Sequence, residues 1–172
     1  MPVKNAKELF IALLSNVRQG TARTTEIYQE ISQAAQRPDV KEALEARIFI
    51  SDNILARLDQ CFKIIGEQPV KPSARLQALR EAFVEDFRKE LAEIESPVAR
   101  HLFILAKANH LMHLRMAEYE ALIELADTTG HYAVGVLLET CLADKLAIAE
   151  RTRRLVRHIV QTEVVEKLAR AA

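Results

Sequence analysis

Four times in this chain, apolar or small residues recur three and four positions apart over a stretch of about 30 residues, the repeat of one face of an α-helix. The first series runs from Leu9 through Leu13, Val17, Gly20, Thr24, Ile27 and Ile31. Arg37-Pro38-Asp39 interrupts it, because proline cannot continue a helix but suits the first turn of the next. The second series holds Val40, Leu44, Ile48, Ile54, Leu58, Cys61 and Ile65 and stops at Gly66, a residue suited to a helix C-terminus. A third begins at Ser96-Pro97, with Leu102, Leu105, Met112, Met116, Tyr119 and Ile123 on one face, and ends at Thr128-Thr129-Gly130. The fourth carries Val134, Leu138, Cys141, Ile148, Leu155 and Ile159. These patterns predict helices over 5–36, 39–66, 97–127 and 131–160, paired by short loops into two antiparallel hairpins. The charged stretch 161–172 is expected to fray or to pack on a partner.

Between the hairpins lies a proline-rich segment, Glu67 to Ser73, and then a shorter amphipathic pattern of Leu76, Leu79, Phe83 and Phe87, which Ser73 is placed to cap. A connection of some 30 residues is long enough to run the length of a bundle. The pattern therefore predicts an all-α, ferritin-like four-helix bundle with a short crossover helix, in preference to a simple five-helix array. A chain of 172 residues suits one domain, 1–172 with its core at about 5–160, and at this size folding buries roughly 70% of the unfolded surface. No strand pattern is evident, and four glycines and five prolines are few enough for long helices.

Charge excludes some partners. Lys plus Arg and Asp plus Glu both number 24, leaving no basic field to recruit nucleic acid, and no 18-residue apolar run is present to span a membrane. The basic run Arg151, Arg153, Arg154 and Arg157 is flanked by Glu150, Glu163 and Glu166 and reads as a solvated or oligomer-facing surface. Met1-Pro2-Val3-Lys4 leads into Asn5, a plausible helix cap, without the features of a signal peptide, so a cytoplasmic protein is expected. Cys61 and Cys141 each fall in an apolar stripe and read as buried free thiols.

The chemistry expected of such a bundle is diiron chemistry, which uses a carboxylate from each of two helices and Glu-x-x-His from the other two. No Glu or Asp in this chain has a histidine three positions on. At mid-bundle depth stand instead Asn16, Thr21, Thr24, Ser51, Asp52, Asn109, Asp144 and Lys145. His110 and His113, three apart with Glu120 further along, have helical ligand spacing, but the core stripe through Asn109, Met112 and Met116 leaves them at the boundary or surface. Met112 and Met116 read as core filler, and His101, His131 and His158 have no evident partner.

The segments Leu9-Phe10-Ile11-Ala12-Leu13-Leu14-Ser15-Asn16, Arg57-Leu58-Asp59-Gln60 and Leu137-Leu138-Glu139-Thr140 resemble the bacterial YciE/YciF family of ferritin-like, stress-associated proteins, over most of the chain. The resemblance implies a helical bundle, usually dimeric, with a diiron-type carboxylate site. It also implies where the ligands would fall. The family motif Tyr-Ser-Ala-Glu-Lys matches residues 18–22, which puts Thr21 where the glutamate stands, and Leu-Glu-Glu-Thr matches 48–51, which leaves Ile50 in a carboxylate position, with Ile54 replacing a downstream His or Gln. Glu-His-Tyr-Glu matches 112–115, or one residue earlier, so Met112 and Arg115 replace glutamates. Leu-Glu-Glu-Glu-Lys matches 142–146, where Asp144 keeps a carboxylate and Lys145 does not.

With nearly all ligands replaced, the expectation is a metal-free, non-catalytic structural or protein-interaction bundle, homodimeric, with no cofactor and a family-derived link to stress. The alternative is an iron- or manganese-binding oxidative protein with a relocated site drawn from His110, His113, Asp52, Asp144 and Glu118. Lys145 in a bundle centre must reach outward or find a carboxylate, and Asp52 is the expected partner by depth.

Overall fold

The computed structural model describes residues 3–71 and 74–171, and their side chains except at 74–77, 79, 80, 167, 168, 170 and 171. Five helices follow in order: α1 (Ala6–Gln33), α2 (Pro38–Ile65), α3 (Ala74–Ala92), α4 (Pro97–Thr128) and α5 (Tyr132–Ala171), and no strand occurs among the described residues. The punctuation works as its chemistry requires. Asn5 caps α1, its side-chain oxygen accepting the Glu8 amide at 2.8 Å, and Ser96 caps α4 by accepting from Ala99 N at 3.3 Å. Pro38 and Pro97 open α2 and α4, and Gly66 and Gly130 close α2 and α4 with φ of 68° and 77°. The expected cap Ser73 and the apolar positions Leu76 and Leu79 lie outside the described residues, whereas Phe83 is half-buried and Phe87 buried. One expectation is corrected: α5 does not weaken at 160 but runs unbroken for 40 residues to Ala171, since nothing in the charged stretch breaks a helix.

Side-chain contacts fix the topology. Arg18 pairs with Asp59 between α1 and α2, Thr21 and Tyr28 of α1 meet Tyr119 and Ala108 of α4, and Arg47 and Arg57 of α2 meet Thr152 and Asp144 of α5. In each of the last two pairs of helices the numbers rise on one while falling on the other, so these neighbours are antiparallel. The helix hairpins make α1 antiparallel to α2 and α4 to α5 as well. Helices α2 and α4 then point the same way, and the chain between them must return along the whole bundle. This is the long crossover of ferritin-like folds. Val70 is held on α1 by Ser15, whose hydroxyl accepts the Val70 amide at 3.0 Å, and by the Gln19 amide, which donates to the Val70 carbonyl. Helix α3 then covers the outer groove between α1 and α4, with Phe87 stacked on Phe103 at 5.7 Å, Lys107 bonded to Glu90 at 2.7 Å, and Arg88 paired with Glu30.

Two apolar clusters fill the ends of the bundle. Ile27, Ile31, Leu44, Phe87, Leu105 and Ile159 belong to one, and Phe10, Leu14, Ile54, Leu58, Leu122 and Leu138 to the other. Between them a small group of Met112, Met116 and Ile148 shares the middle with polar side chains. Gly66 supplies a direct check on the hairpin geometry. A Cβ there would meet nothing within 4 Å, so the cost of Gly66→Ala is purely that of the left-handed backbone. We expect a loss of about 1 kcal/mol in urea unfolding, with an unchanged m-value.

Candidate functional site

Every position at which the family resemblance implies a lost ligand lies in or beside this middle belt. Thr21 and Ile54 are buried, Met112 and Lys145 are buried, and Ile50 and Arg115 are half-buried. Around them the belt forms two polar layers. In the first, the Thr21 hydroxyl lies 3.4 Å from the Tyr119 hydroxyl, and the Lys145 ammonium sits 5.3 Å from the centre of the Tyr119 ring. Lys145 is 6% exposed, and no carboxylate among the described residues approaches within 4.0 Å of it. The aromatic face supplies the electrostatic partner that a carboxylate would otherwise provide. Burial, with the Arg115 charge acting in the same direction, depresses the Lys145 amine to about 8, while Cys141 and Glu118 oppose the shift.

Arg115 reaches the same region from α4. Its guanidinium donates to Glu118 at 2.8 Å and occupies the space beside Gly20: a Cβ on Gly20 would lie 2.3 Å from Nη1. The guanidinium, the mobile end of a long side chain, uses the room that glycine leaves on α1. Burial drives the Tyr119 hydroxyl well above its ordinary range and pushes the Cys61 thiol up to about 12; it raises the Cys141 thiol as well, against the nearby Arg57. Both cysteines are free and buried, as expected.

The second layer is built on Arg47, a residue that sequence reasoning missed. It is only 2% exposed and donates to the Ala43 carbonyl at 2.9 Å and to the Thr152 hydroxyl; among the described residues it has no carboxylate partner, and its Nε has no hydrogen-bond partner. Tyr28 stands against it, donating to the Ala108 carbonyl at 3.3 Å, and burial pushes this phenol up to about 12 in spite of the neighbouring guanidinium. The signal was present in the pattern, since Leu44, Arg47, Ser51, Ile54 and Leu58 keep strict three-four spacing.

The expected ion pair of Lys145 with Asp52 does not form. Asp52 is exposed, because it points away from the buried stripe of Ser51 and Ile54. Asp144 is half-buried and turned to α2, where it pairs with Arg57. His110 and His113 are exposed on α4, Asn16 is exposed on α1, and Glu118 answers Arg115. Of the remaining histidines, His131 stacks on Phe10 at 5.3 Å, and His101 is buried beside Arg37, its pKa lowered chiefly by burial. The residual candidates His110, His113, Asp52 and Asp144 are thus not brought together, and no group of three His, Cys, Asp or Glu among the described residues is placed to hold a metal ion.

A pair of divalent ions needs about four carboxylates for neutralisation, and among the described residues the belt and its edge offer Glu118 and Asp144, each already paired with an arginine, beside the guanidinium of Arg47 and the amine of Lys145. The donor set does not suit a diiron centre. Fold and interior together define a ferritin-like bundle whose middle carries cations and an aromatic ring. The chain belongs to the family described as Domain of unknown function (DUF892), which matches residues 5–165. Among characterised relatives it is similar to Protein YciF of Escherichia coli strain K12, with 22% identity over 147 residues, covering 86% of this chain and 87% of that one. The crystal structure of the E. coli stress protein YciF superposes with a TM-score of 0.82 at 21% identity, covering 92% of this chain and 99% of that one. YcfI of Rhodopseudomonas palustris superposes at 0.78 with 20% identity, covering 88% and 94%.

Two outcomes test this geometry. A lysine whose amine is depressed by folding binds fewer protons in the native state than unfolded between about pH 8 and 10.5, so its penalty is full below that window and absent above it. Lys145→Met is therefore expected to raise stability at pH 7 by about 2–3 kcal/mol, a gain that closes as pH rises from about 8 to 10.5. The Cys141 thiol is coupled to Lys145, so the comparison is made in a Cys141→Ala background, where the difference in unfolding free energy isolates the lysine. The Gly20–Arg115 contact is read by a double-mutant cycle. Gly20→Ala is expected to stabilise the Arg115→Ala background by up to about 1 kcal/mol, the helix-propensity gain of alanine, and the wild type by less, because there the guanidinium must move aside; equal effects in the two backgrounds would show no coupling.

Proposed function

We propose that this protein is a metal-free member of its family with a structural or protein-interaction role, acting as a homodimer in the cytoplasm and serving a stress response as the naming of YciF suggests. The observation that carries the reading is the cationic belt: Lys145 over Tyr119 and Arg115 beside Gly20 fill the space in which a bundle of this type would gather carboxylates. Positive groups repel a divalent cation, and desolvating them together with a metal would compound the cost of burial. Helix packing at the ends, not ligation, then supplies the stability.

Support for self-association comes from large apolar side chains left in solvent, such as Phe49 at 66% and Val136 at 61% exposure. No described helix is long and apolar enough to cross a membrane, so a lipid span does not account for them. The buried free thiols suit a reducing compartment.

Metal analysis of protein expressed in iron- and manganese-supplemented medium is the decisive test. Less than about one-tenth of an equivalent of iron, manganese or zinc per chain is expected, and ferrous iron added in air should oxidise no faster than in buffer. Two equivalents bound at mid-bundle would overturn the reading in favour of an oxidative metalloprotein. Light scattering at micromolar concentration should return twice the 19.4 kDa chain mass; a monomer would remove the dimer from the proposal.

A further inference from the structure

The packing of α2 on α5 brings the two cysteines of the chain to one level. The contacts of Arg47 with Thr152 and of Arg57 with Asp144 fix the register of these antiparallel helices. From Arg57, four residues forward along α2 lead to Cys61, a rise of about 6 Å. From Asp144, three residues back along α5 lead to Cys141, about 4.5 Å in the same direction. Four and three are also the spacings that keep residues on one helix face, so each cysteine shares the face by which its helix meets the other. Both are 0% exposed, and both belong to the apolar cluster of Leu58 and Leu138. Helices in contact lie about 8–10 Å apart, with Cα atoms about 2.3 Å from each axis. Facing residues thus come within reach of a disulfide, whose Cα atoms are about 4.4–6.8 Å apart.

The surroundings of the two thiols differ. Arg57 and Lys145 act to lower the Cys141 thiol against the burial that raises it, whereas burial and Cys141 together push Cys61 up to about 12. Cys141 is therefore the first of the two to ionise, and the thiolate is the nucleophile. Because both side chains are enclosed, an oxidant must be small and uncharged, and it enters as this end of the bundle opens locally. Hydrogen peroxide meets both conditions. We propose that Cys61 and Cys141 form a peroxide-oxidised pair that closes a disulfide between α2 and α5. The Cys141 thiolate attacks one peroxide oxygen and breaks the O–O bond, giving a sulfenic acid and hydroxide, which takes up the proton that the thiol lost. The Cys61 sulfur then attacks the Cys141 sulfur; the S–OH bond breaks, the Cys61 proton leaves with that hydroxide as water, and the S–S bond forms. Two thiols lose two electrons and one peroxide becomes two waters. The link closes a loop that contains α3 and α4, and so restricts the unfolded chain far more than the folded one.

The test treats the reduced full-length protein with millimolar hydrogen peroxide at neutral pH, blocks the remaining thiols with N-ethylmaleimide in denaturant, and maps the peptides. A joined Cys61–Cys141 peptide pair is expected, lighter by two hydrogens than the two reduced peptides, with no label on either cysteine and a single chain on a non-reducing gel. The oxidised protein should melt about 10 °C higher than the reduced one, and dithiothreitol should return it to the starting temperature. Methionine oxidation survives dithiothreitol, so the reversal reads the disulfide alone. In Cys61→Ala, Cys141 should remain as a sulfenic acid that dimedone captures; in Cys141→Ala, Cys61 should stay reduced under the same treatment. Neither variant should gain stability from peroxide. Circular dichroism checks that both fold, and the wild-type peptide map decides the matter even where they do not. The proposal fails if both thiols take N-ethylmaleimide after peroxide, or if the product is a sulfinic acid or a link between two chains. It fails equally if the disulfide forms and the melting temperature falls, because the pair would then be strained apart in the native bundle. None of these outcomes bears on the metal content of the belt, so this pair and the functional reading above stand or fall separately.

Discussion

The interior of this bundle is short of negative charge, and that shortage governs its middle third. Three cationic side chains, Arg47, Arg115 and Lys145, enter from three helices, and Glu118 is the carboxylate that answers one of them. The rest is neutralised by softer means: a tyrosine ring under the ammonium, carbonyls and a threonine hydroxyl around Arg47, and proton loss within reach for a lysine held at about 8. Hydrocarbon at both ends must therefore hold the helices together while the centre contributes little or opposes folding. A metal-bound bundle inverts this arrangement, since there ligation at the centre is itself a source of folding free energy.

The fold was legible from the chain because its signals are local and repeated. Asn5, Pro38, Gly66, Ser96, Pro97 and Gly130 each act within one turn of where they stand, and the three-four spacing declares which face is buried. The crossover was legible by length alone, since a return path along the bundle requires it. The end of α5 was not: the charged stretch after Ile159 weakens the apolar pattern without containing a breaker, and a helix continues by default until something stops it.

The belt was half legible. The family resemblance singled out Thr21, Arg115 and Lys145 among its positions, and the structure places Thr21 and Lys145 against Tyr119 and Arg115 beside Gly20, whereas Ile54 belongs to an end cluster. The partner of Lys145 was not legible, since Asp52 was chosen by depth along α2, and depth says nothing of rotation: one residue beyond Ser51 is about 100° around the helix and faces water. Arg47 escaped for a different reason. Arginine is so seldom buried that its place in an apolar stripe reads as a gap in the pattern, when the stripe in fact continues through it.

The alternation of apolar end, polar belt and apolar end also acts as a vernier. Hydrocarbon is indifferent to a slide of one helical turn, because leucine packs on leucine in either position. A slide of α5 along α2 and α4 would move the Lys145 amine off the Tyr119 ring and against hydrocarbon such as Leu58 of α2 and Leu122 of α4, and would strip Arg47 of the Thr152 hydroxyl. Each of these displacements leaves a buried charge with no partner, so the groups that stabilise the bundle least are those that define its alignment.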